Sequence, residues 1–571
     1  MPLSEEAFYE FGPFRVDPSQ GVLERDGELI PLAPKAFDTL LALLQSRGDV
    51  LGKEDLLKRI WPDSFVEEGS LAQNISILRK VLGEGADGRP YIQTIPKRGY
   101  RLVCSVKEVL AAATPDEPAP SIAVLPFANM SADKDQEYFS DGLAEEIINA
   151  LAQIPGLKVT ARTSSFAFRG KEQDITTIAK VLRVGKILEG SVRRSGNSVR
   201  ITVQLIDAVD GCHIWGQRFD RELTDVFQVQ EEIAVAITET LQVKLAGRVA
   251  ARRHQPNLRA YEAFLKGRHE LSKISAARAR EFLEQAIALD PGYADAHAEL
   301  GQCYYLCGAS GVYPSSETMP AVRAHAQKAL ELNPASPHAH ALLCTVAGVY
   351  DYDWKEAERQ YRLALASDPL PPSVRGRCAI SYLLPLGRFQ EAIIQFEQDL
   401  ERDPLGVTNR SFLALTLFSA GLSDRALAEA QTCLEIHEDH WLPLFVMSVI
   451  CVQLGRIEEA RQAAEKSVRA APWRSSAVGL LAGILARLGE VDRPDELVAR
   501  LREMAPLGFF WYHLLRSEIE VAADYYAKMI EQRDSEATLL ASARLLQPLR
   551  SSPRWPALAK MMNLPVETLS H

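Results

Sequence analysis

Four glycines at a fixed spacing constrain the C-terminal half of this chain more than any other feature. Gly387, Gly421, Gly455 and Gly489 are each 34 residues apart, in "PLGRFQEAI", "SAGLSDRAL", "QLGRIEEAR" and "RLGEVDRPD". Ala392, Ala426 and Ala460 follow in the same register. A second marker closes the units: "ALDP", "ELNP", "ASDP", "ERDP" and "RAAP", ending at Pro291, Pro334, Pro369, Pro404 and Pro472. Glycine permits a tight turn between two helices, the small alanine lets them approach, and proline ends the second one. A unit this short cannot bury its apolar face alone, so the period implies a stack of helical hairpins with a continuous core. About seven units are predicted over 258–508, with an insertion around "GASGVYPSSE" and a helical cap over 509–571.

The 34-residue helix–turn–helix pattern resembles the tetratricopeptide repeat. The resemblance implies an all-α solenoid over 256–508 that offers a concave surface to a protein or peptide partner.

The first hundred residues follow another pattern. Short β segments in "FGPFRVDPSQGVLERDGELIPLAP", with a turn at Asp26-Gly27, give way to three helical stretches. In the third, Leu71, Ile75, Leu78 and Leu82 form one apolar stripe, and Ser70, Gln73, Asn74, Ile77 and Lys80 are predicted to face away from it. "YIQTIPKRGYRLVCSV" then alternates apolar and polar residues on either side of a Pro-Lys-Arg-Gly tip, the signature of a hairpin.

"LAPKAFDTLLALL", "LLKRIWP", "NISILRKVLGE" and "YIQTIPKRGYRL" together resemble the OmpR/PhoB-type winged-helix DNA-binding domain, over residues 7–106. The resemblance implies that the third helix enters the major groove of double-stranded DNA and that the hairpin, or wing, touches the minor groove or backbone. Ser70, Gln73, Asn74, Ile77 and Lys80 would then face the groove. Asn and Gln have the geometry to bond adenine, and Ile77 could meet a thymine methyl. Arg79, Lys80 and Thr94 would lie near phosphates, with Lys97 and Arg98 at the wing tip and Arg101 behind them. The third helix carries fewer arginines than is usual in that family, and Pro96 stands where many members have Arg.

Charge bounds this reading. The 571-residue chain has a formal net charge of −11, and residues 1–106 carry 13 Lys/Arg against 16 Asp/Glu. That balance argues against wholesale coating of nucleic acid and leaves room for one local basic surface. The opening "MPLSEEAFYEF" is unlike a signal peptide, and the longest charge-free apolar run, 441–455, is too short to span a bilayer. A cytoplasmic location without membrane attachment is expected. No receiver-like stretch precedes the winged helix, so the layout is closer to the ToxR/CadC-like arrangement with a soluble linker in place of the membrane span.

"KEVLAAATPDEPAP", 107–120, reads as that linker. Residues 121–248 alternate strands and helices. "IAVLPF", "FSDGLAEEI" and "VQLIDAVDGCHIWGQRFDR" resemble the TolB N-terminal-like domain, an α/β module that implies ligand or partner binding and no chemistry. Asp141, Glu145 and Glu146 are expected to offset the dipole of a helix starting near Asp141. His213, beside Trp215 in a strand, reads as a packed or surface residue, and His338, His340, His437 and His440, at repeat junctions, lack acidic or Cys partners. The eight cysteines read as buried small residues of a reducing compartment, with Cys303 and Cys307 the one pair spaced to share a helix face.

The expected fold is therefore multidomain: an N-terminal winged helix-turn-helix (α+β), an α/β middle domain and a C-terminal all-α solenoid. The expected function is a one-component transcriptional regulator without enzymatic activity, cofactor or metal. RNA polymerase is a further candidate partner, and a homodimer on DNA a further candidate arrangement. The alternatives are a scaffold in which the winged helix serves protein contacts, and an enzyme with a site hidden in 121–245.

Overall fold

In this computed structural model, residues 7–17, 21–25, 28–30, 32–46, 49–61, 68–83, 90–96, 98–104, 107–110, 120–154, 156–171, 173–241, 254–273, 275–311, 313–367 and 370–565 are described. The chain divides into two compact units, Met1–Pro118 and Ala119–His571.

The first unit opens with antiparallel strands β1 (Ala7–Phe11), β2 (Phe14–Asp17), β3 (Val22–Arg25) and β4 (Glu28–Ile30). Helix α1 (Pro34–Gln45), the short strand β5 (Leu51–Gly52) and helices α2 (Lys53–Ile60) and α3 (Glu68–Leu82) follow. Strands β6 (Ile92–Ile95) and β7 (Gly99–Leu102) form the hairpin, and β5 pairs with β7 to complete a three-stranded sheet. The core joins all these elements: Leu40, Leu43 and Leu44 of α1 meet Leu71, Ile75, Leu78 and Leu82 of α3. Phe11 stacks on Phe14 at 5.3 Å between centroids, and Tyr91 meets both edge-on at 5.6 Å. The segment read as the start of the linker forms a strand instead. Lys107–Leu110 is β8, antiparallel to β1, and gives the opening sheet its fifth member. Its Ala/Pro-rich continuation misled by composition, since the four-residue strand is set by pairing with a distant edge. The Asp26-Gly27 turn lies outside the described residues.

The second unit begins with an α/β layer. Strands β9 (Ser121–Val124) and β10 (Ala128–Asn129) precede α4 (Glu137–Leu151), β11 (Lys158–Val159), α5 (Arg162–Phe166) and α6 (Ile175–Leu182). Three ten-residue strands, β12 (Lys186–Ser195), β13 (Ser198–Asp207) and β14 (His213–Glu222), lead into α7 (Val226–Thr240). The sheet order is β11-β9-β12-β13-β14, parallel across the first three and antiparallel across the last three.

From α8 (Leu258–Ser272) onward the described chain is helical. Eight antiparallel helix pairs run from α8 to Ile519–Glu531, one more than the period predicted. The additional pair is Pro506–Leu515 with Ile519–Glu531, in the region read as cap. The turn position explains why the eighth pair carries no sequence marker. Gly387, Gly421, Gly455 and Gly489 have φ between 68° and 86°, the left-handed conformation that glycine adopts without penalty. Tyr352 (φ 60°) and Ser517 (φ 62°) hold the same kind of turn without glycine, so the sequence marker vanishes where the structure continues.

One apolar core runs from Ala341 to Leu564, so the last helices join the repeats. The Trp354 indole donates to Met562 O at 2.9 Å, Tyr352 Oη to Ile530 O at 3.3 Å, and Asn563 Nδ2 to Tyr352 O at 3.3 Å. The Ser542 hydroxyl donates to Leu384 O. The C-terminal residues therefore pack across the third and fourth helix pairs.

Candidate nucleic-acid interface

Helix α3 has two faces. Leu71, Asn74, Ile75, Leu78 and Leu82 are buried, whereas Ala72, Gln73, Ser76 and Lys80 are exposed and Ser70, Ile77 and Arg79 half-buried. Gln73, Ser76 and Lys80 stand three and four residues apart, so their side chains share one strip along the helix. Ser76 went unnoticed in the sequence, although its spacing from Gln73 and Lys80 was the signal.

Asn74 does not belong to that strip. It is 8 % exposed, and its Nδ2 donates to Lys35 O at 3.0 Å and to Thr39 Oγ1 at 3.0 Å. Thr39 Oγ1 in turn donates to Lys35 O at 2.7 Å. Both amide hydrogens are used inside the core, clamping α3 to α1, so the assignment of Asn74 to the groove is corrected. The spacing explains it: Asn74 is three residues after Leu71 and four before Leu78, on the buried stripe.

Arg79 is committed to the hairpin. Its Nε and Nη2 donate to Ile92 O at 3.1 and 3.0 Å, and Nη2 also donates to Thr94 Oγ1 at 2.7 Å. This fork joins the C-terminal turn of α3 to β6, so helix and hairpin hold one orientation. Arg79 and Thr94, both expected near phosphate, are brought together, and each spends hydrogen-bonding capacity on the other. Arg101 donates to Gln93 Oε1 at 3.0 and 2.8 Å, and the two face each other in the β6–β7 register.

The hairpin tip closes with Arg98 N donating to Ile95 O at 3.0 Å, and the Arg98 side chain is exposed. Lys97 lies outside the described residues. Gly99 (φ 151°) is required by close approach, because a Cβ there would lie 1.8 Å from Leu51 O, across the β5–β7 pairing. The tip is thus seated on the start of α2 through β5. Exposed polar groups on α3 and an exposed arginine on the hairpin therefore project from one rigid framework.

Helix α4 starts at Glu137, earlier than read, which places Asp141, Glu145 and Glu146 along it rather than at its start. They do not offset a dipole; they pair with cations. Arg268 of α8 contacts Glu145 and donates to Glu146 Oε1 at 2.9 Å, and Arg162 Nε lies 3.1 Å from Glu145. Asp141 accepts from Arg169 and lies 3.2 Å from His269 Nδ1, and these contacts hold its carboxyl below the usual range against the effect of burial. Among the described residues, no group of three or more His, Cys, Asp or Glu is placed to hold a metal ion. No described helix is long and apolar enough to cross a membrane. Burial pushes the Cys104 and Cys433 thiols up to about 11, which keeps them protonated.

Comparison with known proteins agrees with the layout. Residues 27–102 match the family described as "Transcriptional regulatory protein, C terminal", 118–236 match "HilA/YgeH-like transcriptional regulator, second domain", and 444–472 match the tetratricopeptide repeat. The middle domain thus matches the HilA/YgeH-like second domain, and its likeness to the TolB N-terminal-like module is not confirmed. The chain is 39% identical over 245 residues to putative adenylate cyclase 3 of Rhizobium meliloti, covering 41% of this chain and 41% of that protein. It is 25% identical over 435 residues to transcriptional regulator HilA of Salmonella typhimurium, covering 74% of this chain and 76% of the relative. Transcriptional activator CadC of Escherichia coli is 38% identical over 96 residues, 17% of this chain and 19% of that protein.

Proposed function

We propose that this chain is a cytoplasmic transcriptional regulator of the HilA/CadC type, which binds promoter DNA through α3 and the β6–β7 wing. The observation that carries the reading is the Arg79 fork, which fixes an exposed polar strip and an exposed basic tip on one frame. Gln73 and Ser76 supply hydrogen bonds at the depth of base edges, and Lys80, Lys97 and Arg98 supply charge for phosphate. Arg79 and Thr94 act by positioning the wing. The second unit carries the input, with the repeats as its protein- or peptide-binding part. The reading assigns the chain no catalytic step. The relative named as a cyclase shares 41% of its own length with this chain, and the regulator relative shares 76%.

The test is a mobility shift of the full chain on its own upstream DNA and on random DNA, at two salt concentrations. A specific complex that weakens with salt is expected. The double variant Lys97→Ala with Arg98→Ala is expected to weaken binding to all sequences and to reduce the salt slope by about 1 to 2. Binding unchanged in the double variant would remove the wing from the interface. No binding to either DNA, by the full chain or by residues 1–118, would favour a scaffold.

A further inference from the structure

We propose that the free edge of β14 pairs two copies of this chain into a dimer. β14 is the last strand of its sheet and runs for ten residues. Among the described residues, no backbone group from an element other than β13 bonds to His213–Glu222. Every residue of the strand is exposed except Trp215, half-buried, and Phe219, buried, and Ile214 keeps 42% of its surface in solvent. A long unpaired edge is a template for another strand.

The charges on β14 name the occupant. Two copies related by a two-fold axis normal to the sheet meet antiparallel, with residues equally distant from the axis opposite one another on the same face. An axis through Arg218 would set Arg218 against its own copy, and one through Asp220 would do the same for that carboxylate. An axis through Phe219 sets Arg218 opposite Asp220 twice, Gln217 opposite Arg221 and Gly216 opposite Glu222. No like charges meet over those seven positions. Arg218 and Asp220 belong to a row on the open face, in which Asp220 also holds Arg200 at 2.5 Å, and their side chains keep 64% and 47% of their exposure. Dimerisation would extend that row across the axis, from Arg200 and Asp220 of one copy to Arg218 of the other, twice by symmetry. The β13–β14 register is regular from Leu205–Trp215 to Ser198–Glu222, so no bulge turns this stretch of edge away.

A seven-residue strand pair buries less than the ~1,200–2,000 Å² of a stable interface, which places the association in the micromolar range or weaker. On DNA with two half-sites, such a contact is strengthened by effective concentration. The proposal itself stands apart from DNA binding, because its test contains no DNA.

Sedimentation velocity of the full chain from about 1 to 100 µM is expected to show reversible monomer–dimer exchange. Arg218→Asp alone and Asp220→Arg alone each set like charges opposite one another at both contacts, and each is expected to weaken the dimer about tenfold or more. An equimolar mixture of the two variants sets opposite charges at both contacts and is expected to recover a heterodimer. Circular dichroism melting of each variant separates loss of pairing from loss of folding, and recovery in the mixture requires that both fold. A chain that stays monomeric throughout overturns the proposal. So does a dimer indifferent to both variants, or a mixture that pairs no better than its components.

Discussion

At the residue scale, neighbouring polar side chains on α3 have opposite duties. Asn74 closes two hydrogen bonds inside the core, whereas Gln73 is exposed. Asn74→Ala removes both bonds that clamp α3 to α1 and, at ~0.5–1.5 kcal/mol for each, is expected to cost ~1–3 kcal/mol of stability. Gln73→Ala is expected to leave the melting temperature unchanged and to erode sequence preference by ~1–3 kcal/mol at one base pair. Thermal unfolding and titration against specific and mutated DNA separate the two, and a stability loss in Gln73→Ala would overturn the assignment. Asp399 gives a pH-dependent counterpart. It is buried, accepts from Gly376 N at 2.8 Å and Asn409 Nδ2 at 3.1 Å, and burial raises its carboxyl to about 7. A carboxyl with its folded pKa above the unfolded one binds protons more tightly when folded. The stability it contributes is therefore present below its ordinary range near 4 and lost as pH rises to 7. Asp399→Asn is expected to flatten the fall in stability between about pH 4 and 7, read by denaturation at several pH values. Asp403, raised in the same direction by burial, keeps part of the slope.

At the scale of elements, what the sequence disclosed depended on whether a constraint was local. The helical pairs were legible because glycine, alanine and proline each solve a local problem at a fixed interval. The additional pair was not, because Ser517 accepts a left-handed φ of 62° where its predecessors place glycine. That strain predicts its own relief. Ser517→Gly is expected to stabilise the pair Pro506–Leu515/Ile519–Glu531 by up to ~1–2 kcal/mol, and Gly455→Ala to destabilise its own turn by a similar amount. Opposite shifts in melting temperature would bear this out; a loss in both would mean that the Ser517 side chain holds its turn. In the first unit, the strip on α3 was legible as a face, but its border was not. Polarity sets Asn74 beside Gln73 on the outer face, although its spacing from Leu71 and Leu78 puts it on the buried stripe, where Lys35 and Thr39 of α1 bond it. The strand Lys107–Leu110 was hidden for another reason: its partner, Ala7–Phe11, lies a hundred residues away, and no local signal announces that pairing.

At the scale of the molecule, the middle domain and the repeats are held together at two places, and this bears on how an input at the repeats could be passed on. At the first, α8 of the opening helix pair meets α4 through Arg268, which lies against Glu145, Glu146 and Glu299 with 12% of its side chain exposed. At the second, Ser164 of α5 donates to Asp403 Oδ1 at 2.6 Å and accepts from Leu405 N at 2.8 Å, beside an Ala161 N to Arg402 O bond of 2.7 Å. A domain pinned to the first pair and to the end of the fourth registers any change in the curvature between them. The first anchor is the more vulnerable, because one guanidinium meets three carboxylates, sharing Glu145 with Arg162. Removing one member of a buried ionic group leaves the others uncompensated and typically costs ~3–5 kcal/mol, more than the group adds over an apolar equivalent. Arg268→Ala is therefore expected to loosen α4 and α8 together, seen as faster amide hydrogen exchange in both helices. Ser164→Ala, which removes a neutral donor, is expected to cost ~1 kcal/mol and to leave α8 protected. Faster exchange in α8 alone would mean that the carboxylates of α4 find other partners, and that the ionic group decorates the contact without holding it.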